Sequence, residues 1–149
     1  MQTYPPPQLN EPLLAAQSSA LPLLQAGAYA IIANAEGHLL TVVAANGRHY
    51  LPGGRIEEGE SARRALVREI AEECAWSAEV LGCVTRARQM ILGGSVQLEA
   101  SFWRVRLVSP LDSRPEHDLL WMSPSHAAAQ LHRESDRRAV QMASGRLAA

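Results

Sequence analysis

The chain has 149 residues, enough for one domain, and at 47% hydrophobic and 19% charged it can build a core and is not a disordered polymer. Its formal net charge of -1 gives no global basic field for gripping a long nucleic acid. No run approaches the length of a membrane span, and the start lacks the basic, then apolar pattern of a secretion signal, so a cytoplasmic protein is expected.

All 14 basic residues are Arg, which excludes lysine nucleophiles and Schiff bases. The two cysteines, Cys74 and Cys83, are too few for a zinc site or a disulfide framework and read as free, at least half-buried thiols.

Residues 1–26 differ from the rest. Pro5-Pro6-Pro7 favours an extended start, and the apolar stretch Leu13 to Leu24 is weakly patterned. An arm is expected here, flexible or used as a homodimer contact, followed by one domain over 27–149. Ala28 to Ala33 and Leu39 to Ala44 read as strands, and Asn34-Ala-Glu-Gly37 between them suggests a hairpin. Asn46-Gly47 is a second turn, leading to a short strand at His49 to Leu51. Pro52-Gly53-Gly54 reads as a break into a loop.

Ser61 is an N-cap candidate for a helix over Ala62 to about Cys74, a run free of Gly and Pro. Strands are predicted at Ala78 to Val84, Arg86 to Ile91 and Val96 to Val108, with Gly93-Gly94 turning the chain. Leu119 to Met122 is one more short strand. Pro124 suits a helix start, and Ser125 to Leu131 and Glu134 to Ala143 look helical. The order implies a mixed α/β sheet with helices on its faces.

Chemistry concentrates between Gly54 and Trp76. On a helix, Glu69, Glu72 and Glu73 are related by i, i+3 and i+4, so three carboxylates share one face. Like charges so placed repel. A hard divalent cation resolves that conflict, because Mg²⁺ takes oxygen ligands and keeps waters for substrate phosphates. Gly53 and Gly54 let backbone pass close to a ligand, and the Gly53 carbonyl is a candidate metal donor. Glu60 and Arg68 carry opposite charge and can tie the loop to the helix, which makes Arg68 an orienting residue rather than a phosphate binder. It is expected on a different side of the helix from Glu72. A solvated acidic face is the commoner explanation of any one such helix, so the argument rests on spacing.

That spacing resembles the Nudix box: Gly, five residues, Glu, seven residues, Arg-Glu-aliphatic, one residue, Glu-Glu. Gly54, Glu60, Arg68-Glu69-Ile70 and Glu72-Glu73 fall in register. A chance match is on the order of one in a million at ordinary residue frequencies. Leu51-Pro52-Gly53 and Gly59-Glu60-Ser61 are also similar to the family. Ala75 and Trp76 depart from it, standing where Gly and an aliphatic residue are usual. Trp121-Met122-Ser123-Pro124 resembles the family's later strand-to-helix junction.

The resemblance implies an α/β/α sandwich around a mixed sheet. It also implies water attack on a diphosphate linkage, with Mg²⁺ (or Mn²⁺) held by Glu69, Glu72, Glu73 and Gly53. Glu69 is the candidate general base. Outside the box, Glu57, Glu99, Glu116 and Asp118 are candidate carboxylates, and Glu116, just before Trp121, is preferred. A nucleotide pocket calls for a base-stacking aromatic. Tyr29, Tyr50, Phe102 and Trp103 are available, with Tyr50 the chosen one. Arg86 with Arg88, and Arg104 with Arg106, sit at alternate strand positions; Arg86 and Arg104 are the candidate phosphate contacts. A nucleoside triphosphate or related small nucleotide is the expected substrate. A nucleotide-binding regulator that has lost catalysis, and an enzyme acting on the 5′ end of RNA, are the alternatives. No membrane and no stable nucleic-acid partner are expected.

Overall fold

A computed structural model of the chain describes residues 21–148, and the side chains of 21–145. The Pro-rich start and most of the apolar stretch from Leu13 lie outside the described residues. The first strand, β1, spans Leu23–Ile31, so the boundary expected at residue 26 falls inside it. It is followed by β2 (Leu39–Val43), β3 (His49–Tyr50), β4 (Gly53–Arg55) and helix α1 (Ala62–Cys74). Then come β5 (Trp76–Ile91), a 3-10 turn at Leu92–Gly94, β6 (Val96–Pro110), β7 (Asp118–Met122), α2 (Pro124–Gln130) and α3 (Glu134–Ala148).

Two sheets form. One has the order β4-β1-β6-β5, with β1 and β6 parallel and the other neighbours antiparallel. The other, β3-β2-β7, is antiparallel throughout. The expected hairpin between these segments is reduced to its tip, where an antiparallel bridge joins Ala33 to Leu39 and the Leu40 N–H to Ile32 carbonyl and Asn34 N–H to His38 carbonyl bonds are each 2.9 Å. The turn at Asn34 bends the chain so that β2 leaves the first sheet and pairs with β7, burying Thr41, whose hydroxyl donates to the Leu120 carbonyl at 2.8 Å.

Alternation along β1 sets the layers. Ala28 and Ala30 face α1 and pack with Leu66, Ile70 and Cys74. Tyr29 and Ile31 face the opposite side and pack with Leu51, Phe102 and, from α2 and α3, Ala127, Val140 and Ala143. The result is the expected α/β/α sandwich. Leu66 and Ile70 are fully buried, and each contributes about 1.5–3 kcal/mol to holding α1 on the sheet.

Two predicted strands, 78–84 and 86–91, are one strand, β5. Register shifts at Ser77/Ala78, Val80/Gly82 and Cys83/Thr85 let it curl along β6 without breaking. The predicted break at Pro52-Gly53-Gly54 is likewise a strand. Its glycines allow β4 to lie against β1, with Gly53 opposite Tyr29 and Gly54 opposite Ala28.

Helix α1 is capped as expected: the Ser61 hydroxyl accepts from the Arg64 N–H at 3.2 Å. It ends on Ala75 in the left-handed region, φ 59° and ψ 42°, where the N–H donates to the Ala71 carbonyl at 3.1 Å. A left-handed alanine costs about 1–2 kcal/mol. Ala75→Gly removes that strain and loses a buried methyl worth about 0.8 kcal/mol. A net gain of about 0.5–1 kcal/mol is expected, seen as a rise of about 1–4 °C in Tm. An unchanged or lower Tm would show that the helix exit is relaxed with alanine.

Both cysteines are free. Cys74 is buried, and burial pushes its thiol up to about 12. Cys83 is exposed on β5, contrary to the expectation of at least partial burial.

Candidate active site

Pairing of β4 with β1 brings the two glycines under α1, and the acidic face of the helix comes down on them. The Gly53 N–H donates to Glu73 Oε1 at 2.9 Å. Glu73 is only 6% exposed, and burial pushes its carboxyl up to about 8, aided by the charges of Glu69 and Glu116. The Glu69 carboxyl is also raised, chiefly by burial. A Cβ on Gly54 would stand 2.7 Å from Glu69 Oε1, so the absence of a side chain there makes the space Glu69 occupies.

Arg68 ties the loop, the helix and the acids together. Its Nε donates to Glu60 Oε2 at 2.8 Å and its Nη2 to Glu60 Oε1 at 2.9 Å, a two-pronged bond. Nη1 donates to Glu69 Oε1 at 2.9 Å, and Nη2 also reaches the Arg55 carbonyl at 3.1 Å. The guanidinium holds the Glu60 carboxyl down to about 2. Arg68 does not stand apart from Glu72. Four residues along a helix is one face, and Nη1 lies 3.6 Å from Glu72 Oε2.

Arg68→Lys keeps the charge but cannot fork. Lower kcat, by about 10- to 100-fold, is expected, with a smaller change in the Mg²⁺ concentration needed for half-maximal rate. Wild-type kcat and metal dependence in this variant would remove the orienting role.

A cleft of about 430 Å³ opens beside these groups. Gly53, Gly54, Glu73 and His117 line it, as do Tyr29, Tyr50 and Arg133. His117 Nε2 lies 3.9 Å from Glu73 Oε2. Tyr50 is thus in the cleft, and so is Tyr29, which also belongs to the core. Phe102 is fully buried, and Trp103 lies on the α1 side, its Nε1 donating to Ser101 Oγ at 2.8 Å.

The Glu116 N–H donates to the Glu72 carbonyl at 3.3 Å, which sets that residue against the end of α1, near the acids. Glu57 reaches the Arg68 network at 3.8 Å, whereas Glu99 pairs with Arg88 at 3.3 Å. Asp118 is exposed on β7.

Arg86 and Arg104 do not line the cleft. Arg86 stands opposite Ser101 on β6, on the α1 side with Trp103, and borders a separate depression. Arg104, three residues beyond Ser101, faces the other way and reaches the Ala143 carbonyl of α3 at 3.5 Å. Strand alternation correctly pairs each with its own neighbour, but opposite faces of one sheet cannot share a phosphate path.

Three residues near the acids escaped the sequence reading: His117, Arg133 and Asp136. Asp136 is fully buried, its Oδ2 accepting from the Leu51 N–H at 3.3 Å while Oδ1 has no partner. Burial raises its carboxyl to about 6. Its one available signal was an acid amid the apolar spacing of α3.

The donor set suits a hard cation. It consists of carboxylates and backbone carbonyl oxygen, and the buried Glu73 carboxyl, held high by desolvation, gains most from a positive charge. Among the described residues, no three His, Cys, Asp or Glu side chains already converge on a common point. Glu69 is engaged by Arg68 and Glu73 by Gly53, so small rotations would have to accompany binding.

The NUDIX domain model matches residues 23–143, from the first strand into the last helix. The chain belongs to the Nudix family. A Mycobacterium tuberculosis protein with the provisional name 8-oxo-dGTP diphosphatase 2 is 38% identical over 88 residues, 58% of this chain and 58% of that protein. The CTP pyrophosphohydrolase of Escherichia coli is 36% identical over 76 residues, 50% of this chain and 55% of that enzyme. The matches thus span little more than half the length of these curated relatives. The solution structure of the E. coli ORF135 protein superposes with a TM-score of 0.69 at 26% identity, covering 83% of this chain and 91% of that one. The Nudix box supplies Gly54, Glu60, Arg68, Glu69, Glu72 and Glu73, and Gly53 directly precedes it. Among the described residues, no helix is long and apolar enough to cross a membrane.

Proposed function

We propose that this Nudix protein is a Mg²⁺-dependent hydrolase that cuts a phosphoanhydride bond in a nucleoside-diphosphate-linked substrate, with a nucleoside triphosphate or related small nucleotide as substrate. The observation that supports this best is Glu73: a buried carboxylate, pinned by a backbone N–H and flanked by Glu69, opening onto a cleft with two tyrosines. No arginine pairs with it among the described residues; His117 lies 3.9 Å away, and the carboxylate lines the cleft, where a cation can reach it.

Glu69, Glu72, Glu73 and the Gly53 carbonyl are the groups that would hold Mg²⁺, which when bound neutralises phosphate oxygens and lowers the pKa of water. Arg68 fixes Glu69 in one rotamer, and Glu60 fixes Arg68. Glu69 is the proposed proton acceptor from the attacking water: burial already raises its carboxyl toward the range useful for a base. Glu116 adds negative charge at the same end of α1. Tyr50, half-buried on the cleft wall, is the proposed aromatic beside the base. Mn²⁺ is expected to substitute, since it accepts the same oxygen donors.

The test is release of phosphate or pyrophosphate from a panel of nucleoside triphosphates and diphosphate-linked nucleotides, with Mg²⁺, Mn²⁺ or chelator. Turnover that chelator abolishes, together with a metal-dependent rise in Tm, is the expected result. Turnover that persists in chelator would reject the metal assignment. A panel with no substrate at all would reject the hydrolase reading.

A further inference from the structure

We propose that Arg133 reads the base, and that it selects nucleotides whose base presents two neighbouring acceptors on one edge, as guanine and cytosine do. The proposal rests on the nucleotide reading of the same cleft and adds the base class to it.

Arg133 occupies the short connection just before α3, where its side chain lines the cleft. Its guanidinium carbon lies 5.4 Å from the centre of the Tyr29 ring and 5.1 Å from that of Tyr50. Two ring faces therefore hold the cation, an arrangement that fixes the guanidinium while leaving N–H groups at its edge. Tyr29 is itself held in place by packing on Phe102, ring centres 5.8 Å apart. Gly27 leaves room for the end of that ring, because a Cβ there would stand 2.8 Å from the Tyr29 hydroxyl.

Several other arginines spend their donors inside the protein, and Arg55, which also lines the cleft, has no aromatic ring beside it among the described residues to orient it. Arg68 is bound to Glu60 and Glu69, Arg106 to Glu79 and Arg88 to Glu99. Arg137, on the first turn of α3, donates to the Leu131 and His132 carbonyls. Arg133 has no carboxylate within ion-pairing distance among the described residues. The acid nearest in sequence on α3 with a buried side chain, Asp136, is turned to the Leu51 N–H instead. A planar cation that is oriented by aromatics, lies in the cleft and has donors to spare is built to receive a ligand.

Against a nucleobase, the fork geometry decides which edge is taken. Two parallel N–H groups match two adjacent acceptors, O6 and N7 of guanine or O2 and N3 of cytosine. Adenine places an amino donor beside N7, and uracil places an N3–H between its two oxygens, so neither offers such a pair. A good bidentate contact discriminates by about 5- to 150-fold.

Two measurements test this on the full-length protein, wild type and Arg133→Lys and Arg133→Gln. The first is equilibrium binding of GMP, CMP, AMP and UMP. The second is kcat/KM for the four triphosphates in saturating Mg²⁺, with Tm as the folding control. Wild type is expected to prefer the guanine and cytosine nucleotides by at least about 5-fold, carried by Kd and KM rather than kcat. Both variants should level the four bases to within about 3-fold, Lys included, because it keeps charge and loses the fork. A wild type without that preference, or variants that retain it, would overturn the proposal. Hydrolysis without base preference would overturn it while leaving the hydrolase reading standing. Selective binding without hydrolysis would do the reverse, and neither binding nor hydrolysis would overturn both.

Discussion

Glu73→Gln is expected to lower kcat by at least about 10²-fold in saturating Mg²⁺ while leaving the protein folded. The Gly53 N–H bond survives, because a glutamine oxygen accepts it as a carboxylate oxygen does. The negative charge does not survive, and on the proposed assignment it is the charge that holds the metal. Near-normal turnover would place the metal elsewhere.

The same substitution has a second, opposite effect in metal-free protein. Burial raises the Glu73 carboxyl to about 8, so between the ordinary carboxylate range and pH 8 the folded state binds a proton that the unfolded state has released. Stability from this group is therefore lost as pH rises through that window. Asp136, raised to about 6, acts in the same direction but finishes earlier. In chelator, wild type should lose stability between pH 6.5 and 8.5, and Glu73→Gln should lose much less. Denaturant midpoints across that range measure both. Equal pH slopes in the two proteins would mean that Glu73 is not desolvated as the fold implies.

The box was legible because its geometry is local. Glu69, Glu72 and Glu73 share a face by helix period alone, and Ser61 caps by its position. Ala75 stood out as a departure from the usual Gly, and the chain is left-handed there, where glycine is the unstrained residue. What failed was pairing across distance. Two adjacent strands with a turn between them predict a hairpin, yet β2 finds β7, nearly eighty residues on, because that pairing buries Leu39, Leu40 and Val42. Arg104 was assigned by strand period without knowing which face the substrate would use. Arg133 was invisible for the same reason: its tyrosines come from β1 and β3, and nothing in the sequence around residue 133 announces either.

The largest expected loss of stability belongs to Gly53→Ala, and its neighbour shows why the two glycines are not equivalent. At Gly53 the φ angle is 141°, and an added Cβ would stand 2.2 Å from the Ala28 carbonyl oxygen and 2.7 Å from the Tyr29 Cα. Both obstacles are backbone, so no rotamer relieves them. β4 must move off β1, stretching the Ala30 N–H to Pro52 carbonyl bond of 2.7 Å and withdrawing the Gly53 N–H from Glu73. Overpacking and the disfavoured φ together cost about 3–5 kcal/mol, a large share of a small domain's stability. At Gly54 the obstacle is the end of the Glu69 side chain, 2.7 Å away, which can rotate. Gly54→Ala should therefore cost about 1 kcal/mol or less but push Glu69 off the Arg68 Nη1, lowering kcat by at least about 10-fold. Urea midpoints and kcat, measured side by side, separate the two. A Gly53→Ala protein as stable as wild type would refute the close approach of β4 to β1. A Gly54→Ala protein with full kcat would show that turnover does not depend on where Glu69 sits.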